Sequence, residues 1–266
     1  MIKILIIGKK SFLGSNLKKY LSPKYETDNL SYENVKKKES KFFKKYTHVI
    51  NTSICEQYVN DKYNPKYDLD INFIDKFKRI NFFYIFFNTR KIYALNENIT
   101  EKSKIKPIDN YSKNKYITEK YLRKKIKNQL ISLRISNIIG KRIHNNSRNS
   151  HKLFFDNFLI YKKKVSKSKK VLDVKNDFKD FLSINQFCKI IHKIISLKVY
   201  GIFNVSLSEK IYISEIISWI DKNFLTNVRL IKSNKDSFTL SNKKLLKKIK
   251  LKISKNQLKK FCQRLI

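Results

Sequence analysis

Glycine, proline and cysteine are nearly missing from this chain: four Gly, three Pro and three Cys in 266 residues. So little Gly and Pro excludes collagen-like, low-complexity and flexible-linker organisation. No Gly/Ser-rich stretch marks a domain boundary. Cys55, Cys188 and Cys262 are odd in number and far apart, which excludes a disulfide framework. Neither they nor His48, His144, His151 and His192 show a zinc-ligand spacing, so no metal is expected. Reduced, structural thiols suit a cytoplasmic protein. No apolar run reaches the ~18 residues that span a bilayer, and residues 4–7 are too short for the core of a signal peptide. A soluble, cytoplasmic protein with no membrane partner is expected.

Acidic residues are scarce too. Asp and Glu total 21 against 60 Lys and Arg, a net charge of +39 and a pI near 10.0. Such charge suits nucleic acid or an anionic surface. Yet Lys outnumbers Arg 52 to 8, whereas base readout favours Arg forks. The single Ala, with many Lys, Asn, Ile, Phe and Tyr, follows the codons of an AT-rich genome. No specific nucleic-acid partner is expected, only polyanion binding that fades as salt rises. Codon bias leaves the shortage of Asp and Glu unexplained.

What the chain does contain is apolar residues, 41% of the total, laid out in alternating elements. Strands are predicted near 2–7, 24–29, 47–52, 82–88, 130–136, 201–206 and 227–232. Helices are predicted near 12–21, 33–46, 67–80, 111–127, 151–163, 183–197, 212–224 and 241–262, the last with a break near Ser254. This alternation predicts an α/β fold: a Rossmann-type doubly wound parallel sheet with a small C-terminal lobe. Residues 1–140, with 176–206, are expected to form the sheet domain, and 141–175 and 207–266 the smaller lobe.

Two local patterns carry chemistry. The apolar run at 2–7 enters Gly8-Lys-Lys-Ser11-Phe12-Leu13-Gly14 and then the helical stretch 16–21. Gly8 can take a tight turn, Gly14 lets helix and strand approach, and the helix N-terminus offers N–H groups to a pyrophosphate. An ordinary strand–helix turn reads the same way. The second pattern is Tyr111-Ser-Lys-Asn-Lys115, with Tyr and Lys on one helical face. A nearby ammonium stabilises phenolate and lowers a Tyr pKa from its usual ~10. Lys115 can also hydrogen-bond a ribose. Asp109 or Asn110 can cap that helix. Upstream, Asn81–Phe87 is an apolar strand ending at Thr89, whose hydroxyl would lie at the carboxyl edge of the sheet.

At these residues the chain resembles the NAD(P)-dependent epimerase/dehydratase branch of the extended short-chain dehydrogenase/reductases, which act on nucleotide sugars. Seven pieces match in order. Ile4–Gly14 resembles the cofactor loop, and His48-Val-Ile-Asn51-Thr52-Ser53 the strand beneath the adenosine. Tyr84–Tyr93 resembles the Ser/Thr strand, and Pro107–Glu119 the catalytic helix. Leu133–Gly140, Lys179-Asp180-Phe181 and Phe203-Asn204-Val205 complete the series.

The resemblance implies Thr89, Tyr111 and Lys115 as the catalytic group. It implies a cofactor, NAD or NADP, held by Gly8, Ser11, Phe12, Leu13, Gly14, Asn51, Thr52, Ser53 and Lys115. It also implies a nucleotide-diphosphate sugar touching Asn137, Lys179 and Arg90. A homodimer through the catalytic helix is common in the family.

Asp28, about 20 residues after Gly8, can favour NAD through a ribose hydroxyl. Lys24 and the lysines at 36–38 instead suit a 2′-phosphate, so both cofactors stay open. Ser11 replaces a family glycine, so the backbone is expected to stand further from the phosphates. Arg90 and Lys91 stand where dehydratases carry an acidic pair, which leaves epimerisation or 4-keto reduction. Lys179 replaces an Arg and loses its fork. Residues 22–46 look trimmed. The basic tract 161–170 reads as an exposed loop. The competing reading is a catalytically degenerate Rossmann-fold binding module that uses its basic surface to hold RNA or another polyanion.

Overall fold

A computed structural model describes residues 1–144, 153–168 and 171–266. Its centre is a six-stranded parallel sheet. The strands are β1 (Lys3–Ile7), β2 (Glu26–Leu30), β3 (His48–Asn51), β4 (Phe83–Thr89), β5 (Leu130–Ile135) and, last in the chain, Gly201–Val205. Their order across the sheet is β2-β1-β3-β4-β5 followed by Gly201–Val205.

Residues 4–7 have no exposed surface, as expected for a strand covered on both faces. Their side chains alternate between two cores. Ile4 and Ile6 join the core under α1 (Phe12–Leu21), while Leu5 and Ile7 join the opposite one. Short α2 (Tyr32–Lys36) and α3 (Glu56–Asn60) precede α4 (Leu69–Ile74). Phe73 and Ile74 of α4 and Leu122 of α5 (Asn110–Lys125) fill the second core. Asp109 caps α5 by accepting from Ser112 N at 2.8 Å, a reciprocal capping box.

The remainder is built from short ladders. Strand β6 (Asn137–Ile139) pairs with β9 (Phe181–Ser183), β7 (Leu172–Lys175) with β12 (Val228–Ile231), and β8 (Phe178–Lys179) with β11 (Ile211–Tyr212). Gly201–Val205 is therefore β10. Helices α6 (Phe154–Ser168), α7 (Ile184–Ser196), α8 (Ile213–Ile220), α9 (Lys243–Ile249) and α10 (Lys255–Cys262) surround them. An apolar stripe at Phe187, Ile190, Ile191, Ile194 and Ile195 seats α7 beside α1.

Buried Asp180 joins the outer ladders to the sheet region by accepting from Leu207 N, Ser208 N and Leu240 N at 2.8–3.1 Å. Burial, against those hydrogen bonds, raises its pKa to about 7.

Several expected boundaries change. The strand near 227–232 lies outside the central sheet, paired with β7. The helix near 67–80 is only Leu69–Ile74, and that near 33–46 divides into α2 and a 3-10 turn at Ser40–Lys45. The basic tract is helical to Ser168 rather than a loop, because it continues α6, whose first turns carry the apolar residues Phe154, Phe155, Phe158 and Leu159; Lys169 and Lys170 lie outside the described residues. The C-terminal helix does break at Ser254, which caps α10. Among the described residues no helix is long and apolar enough to cross a membrane. Burial pushes the free thiols of Cys188 and Cys262 up to about 12.

His48 is 1% exposed and stacks on Phe83 with ring centroids 5.4 Å apart. Burial first, then the Lys198 charge, lowers its pKa from 6.5 to about 4. The unfolded chain therefore takes up a proton that the fold excludes, and stability falls with pH between those values. His48 is expected to cost about 2 kcal/mol between about pH 7.5 and about pH 5. Urea unfolding of His48→Phe beside wild type at both pH values checks this: the variant should lack that increment.

Candidate active site

The carboxyl ends of β1, β3 and β4 place the candidate residues along one edge of the sheet. Gly8 leaves β1 with φ +113°, and a Cβ there would lie 2.3 Å from Thr52 Oγ1. A Cβ on Gly14 would lie 2.4 Å from Gly8 O. Only glycine permits this close approach of helix to strand.

Ser11 is the N-cap of α1: its Oγ accepts from Gly14 N at 2.9 Å and lies 2.6 Å from Thr52 Oγ1. The residue between the two glycines is thus a capping hydroxyl. Thr52 Oγ1 also donates to Ile7 O at 2.7 Å, and Ser53 N to Asn51 Oδ1 at 3.0 Å. Gly8, Ser11 and Gly14, with Thr52 and Ser53 from the end of β3 packed against them, thus close tightly around the start of α1. Phe12 and Leu13 contribute first-turn N–H groups, while their side chains join the core. The turn fits a pyrophosphate: Gly8 before the helix and Gly14 in its first turn both exclude a Cβ, which leaves the helix N-terminus open to approach.

Asp28 is not brought to this turn. It pairs with Leu5, two residues before the strand end, accepts from Tyr46 OH at 2.6 Å and lies 3.7 Å from Lys45 Nζ.

Thr89 ends β4 opposite Ile135. Its N–H donates to Asn88 Oδ1 at 2.7 Å, and Asn88 donates to Glu119 on α5 at 2.8 Å. Lys91 donates to the cap residue Asp109 at 2.9 Å, tying the Thr89 turn to the start of the helix that carries Tyr111. Tyr111 is half-buried. Burial, and then the Asp68 charge, raise the phenol of Tyr58 on α3.

Lys115 lies one turn further along. It is 6% exposed, with Nζ 4.5 Å from the Phe86 ring centroid and 3.7 Å from Asp70 Oδ2. A buried ammonium needs such a partner. Asp70 is itself held: Oδ1 accepts from Asn51 Nδ2 at 3.0 Å and from Tyr84 OH at 2.7 Å. Beside it Asp68 caps α4 and accepts from Thr118 Oγ1 at 2.5 Å. Burial first, and then the Asp70 charge, raise Asp68 to about 6. Asn51, expected to touch cofactor, thus spends its side chain on the acid that holds Lys115.

On the far side, Asn137 Nδ2 donates to Asp180 O at 3.3 Å. Arg90 and Lys179 both reach Asp236, Arg90 with an N–O distance of 2.7 Å.

Residues 4–206 match the model of the NAD dependent epimerase/dehydratase family. The chain belongs to this family. Among curated proteins none matches the sequence. Solved structures with the same fold include dTDP-glucose 4,6-dehydratase from Bacillus anthracis in complex with NAD: 15% identity, TM-score 0.76, 100% of this chain and 95% of that one. UDP-N-acetylglucosamine 4-epimerase from Methanobrevibacter ruminantium, in complex with UDP-N-acetylmuramic acid, gives 17% identity and TM-score 0.75 over 99% and 96%. A dTDP-4-dehydrorhamnose reductase from Clostridium acetobutylicum gives 18% and 0.72 over 98% of each chain.

Sequence reading missed Asp68, Asp70 and Asp236. The first two carry a signal: Asp-Leu-Asp before an apolar helical run is an N-cap pattern. Asp236 carries none, since nothing local distinguishes it from other loop acids.

Proposed function

We propose that this family member is an NAD- or NADP-dependent nucleotide-sugar epimerase or 4-keto-sugar reductase. What supports the reading is that α5, which carries Tyr111 and Lys115, packs on β4 and is tied by Lys91–Asp109 to the turn after Thr89, with the Gly8–Gly14 turn at the carboxyl end of β1 in the same parallel sheet. Bound there, the nicotinamide would donate or accept the hydride.

The chain's own residues do the rest. The first turn of α1 holds the pyrophosphate, and Lys115 holds the ribose. Lys115 also stabilises the Tyr111 phenolate. Tyr111 moves the proton at the sugar hydroxyl or ketone oxygen, which the Thr89 hydroxyl orients. Arg90 and Lys91 are engaged with Asp236 and Asp109, and neither supplies the acid–base pair that water elimination needs. Hydride transfer without dehydration is the better-supported reaction.

The test is titration with NADH and with NADPH at about 150 mM salt, where weak polyanion contacts are screened. The expected result is micromolar binding of one of them, followed by turnover of a UDP-, dTDP- or GDP-sugar. A folded protein that binds neither dinucleotide would overturn the reading and favour the polyanion-binding module.

A further inference from the structure

Arg90 and Lys179 converge on one carboxylate from distant parts of the chain. Arg90 Nη2 lies 2.7 Å from Asp236 Oδ1, and Lys179 Nζ contacts Asp236 Oδ2. The Arg90 side chain is 10% exposed and its guanidinium lies 3.9 Å above the Phe238 ring. That stacking fixes the plane of the fork. Asp236 differs: its side chain is 45% exposed and sits on a turn after β12. Its backbone N–H donates to Asp177 Oδ1 at 3.5 Å. The next residue, Ser237, is 8% exposed, and its buried hydroxyl has no hydrogen-bond partner. Two ordered cations, a half-exposed acid between them and an orphaned hydroxyl on the same turn describe an oxyanion site whose occupant belongs to the protein. Arg90 follows Thr89 directly, so the cluster borders the end of β4 at which the sugar reacts.

On the reading proposed above, we propose that Asp236 is an internal counter-ion holding the place of a substrate oxyanion between Arg90 and Lys179. It thereby sets affinity and selectivity for acidic nucleotide sugars. A substrate oxyanion must displace the Asp236 carboxylate, so Asp236 weakens binding of every ligand that uses the site. It also leaves the two cations paired when no substrate is present. The oxyanion has two sources in such a substrate, the diphosphate and a carboxylate on the sugar.

The experiment measures Kd for UDP, UDP-glucose and UDP-glucuronate in NADH-loaded wild type and in Asp236→Asn, which keeps the side chain's shape. Asp173→Asn removes an exposed carboxylate elsewhere and controls for net charge. Loss of two partly exposed ion pairs predicts about tenfold tighter binding in Asp236→Asn and no change in Asp173→Asn. A gain shared by all three ligands assigns the site to the diphosphate. A gain confined to UDP-glucuronate assigns it to the sugar carboxylate. Equal Kd in wild type and Asp236→Asn, with NADH still bound, would show a structural ion pair only and overturn the inference. Failure to bind NADH would instead overturn the enzymatic reading.

Discussion

Tyr111→Phe is expected to lower kcat by about a thousandfold, the scale of a lost general acid–base group. Dinucleotide affinity and thermal stability should stay within error of wild type. The phenol is half-buried and donates no hydrogen bond to any described residue, so the fold does not depend on the oxygen. Its ring remains in phenylalanine. The reaction does depend on the oxygen, because Tyr111 lies one turn before Lys115 on the same face of α5. The measurement is single-turnover rate beside NADH affinity and melting temperature. A variant with full turnover would remove Tyr111 from the mechanism. A variant that melts early would show a structural role instead.

Glu119→Ala is expected to destabilise the protein by about 3–5 kcal/mol, because it leaves a buried charge without its partner. Glu119 has no exposed surface. Its Oε2 accepts from Asn88 Nδ2 at 2.8 Å, Ser132 Oγ at 2.7 Å and Arg134 Nε at 3.1 Å, and Oε1 pairs with Arg134 Nη2. One carboxylate thus bonds β4, β5 and α5 together. Its removal strands the Arg134 guanidinium, which is 3% exposed. A loss of this size is a large part of an ordinary domain's total stability of about 5–15 kcal/mol. The urea midpoint of Glu119→Ala should fall sharply. The paired replacement Glu119→Leu with Arg134→Met should recover much of it, since it leaves no unpaired charge. The same change reaches the candidate site, because Asn88 positions the Thr89 amide.

Much of the frame was legible because each strand's burial is written locally. An unbroken apolar run such as residues 4–7 has no polar face to turn to water, so it must be covered on both sides. The start of α5 was legible for a similar reason: Asp109 and Ser112 lie three residues apart and satisfy each other's backbone. The short helix α4 was not legible in extent. Phe77 and Ile80 continue its apolar period past Ile74 and lie in the same core, so the pattern does not mark the helix end.

The sequence by itself determined the alternating α/β order, the glycine-guarded turn into α1 and the spacing of Tyr111 to Lys115. These depend on φ freedom, side-chain periodicity and neighbours within a few residues. The tertiary structure alone decided which charges meet. Lys115 is held by Asp70 from another helix, Asp28 is taken up by Tyr46, and Arg90 and Lys179 share Asp236, 146 residues from Arg90. Ion pairs act over a few ångströms and are indifferent to sequence separation, so in a chain with 52 lysines only the fold can select the few whose charge is buried and answered.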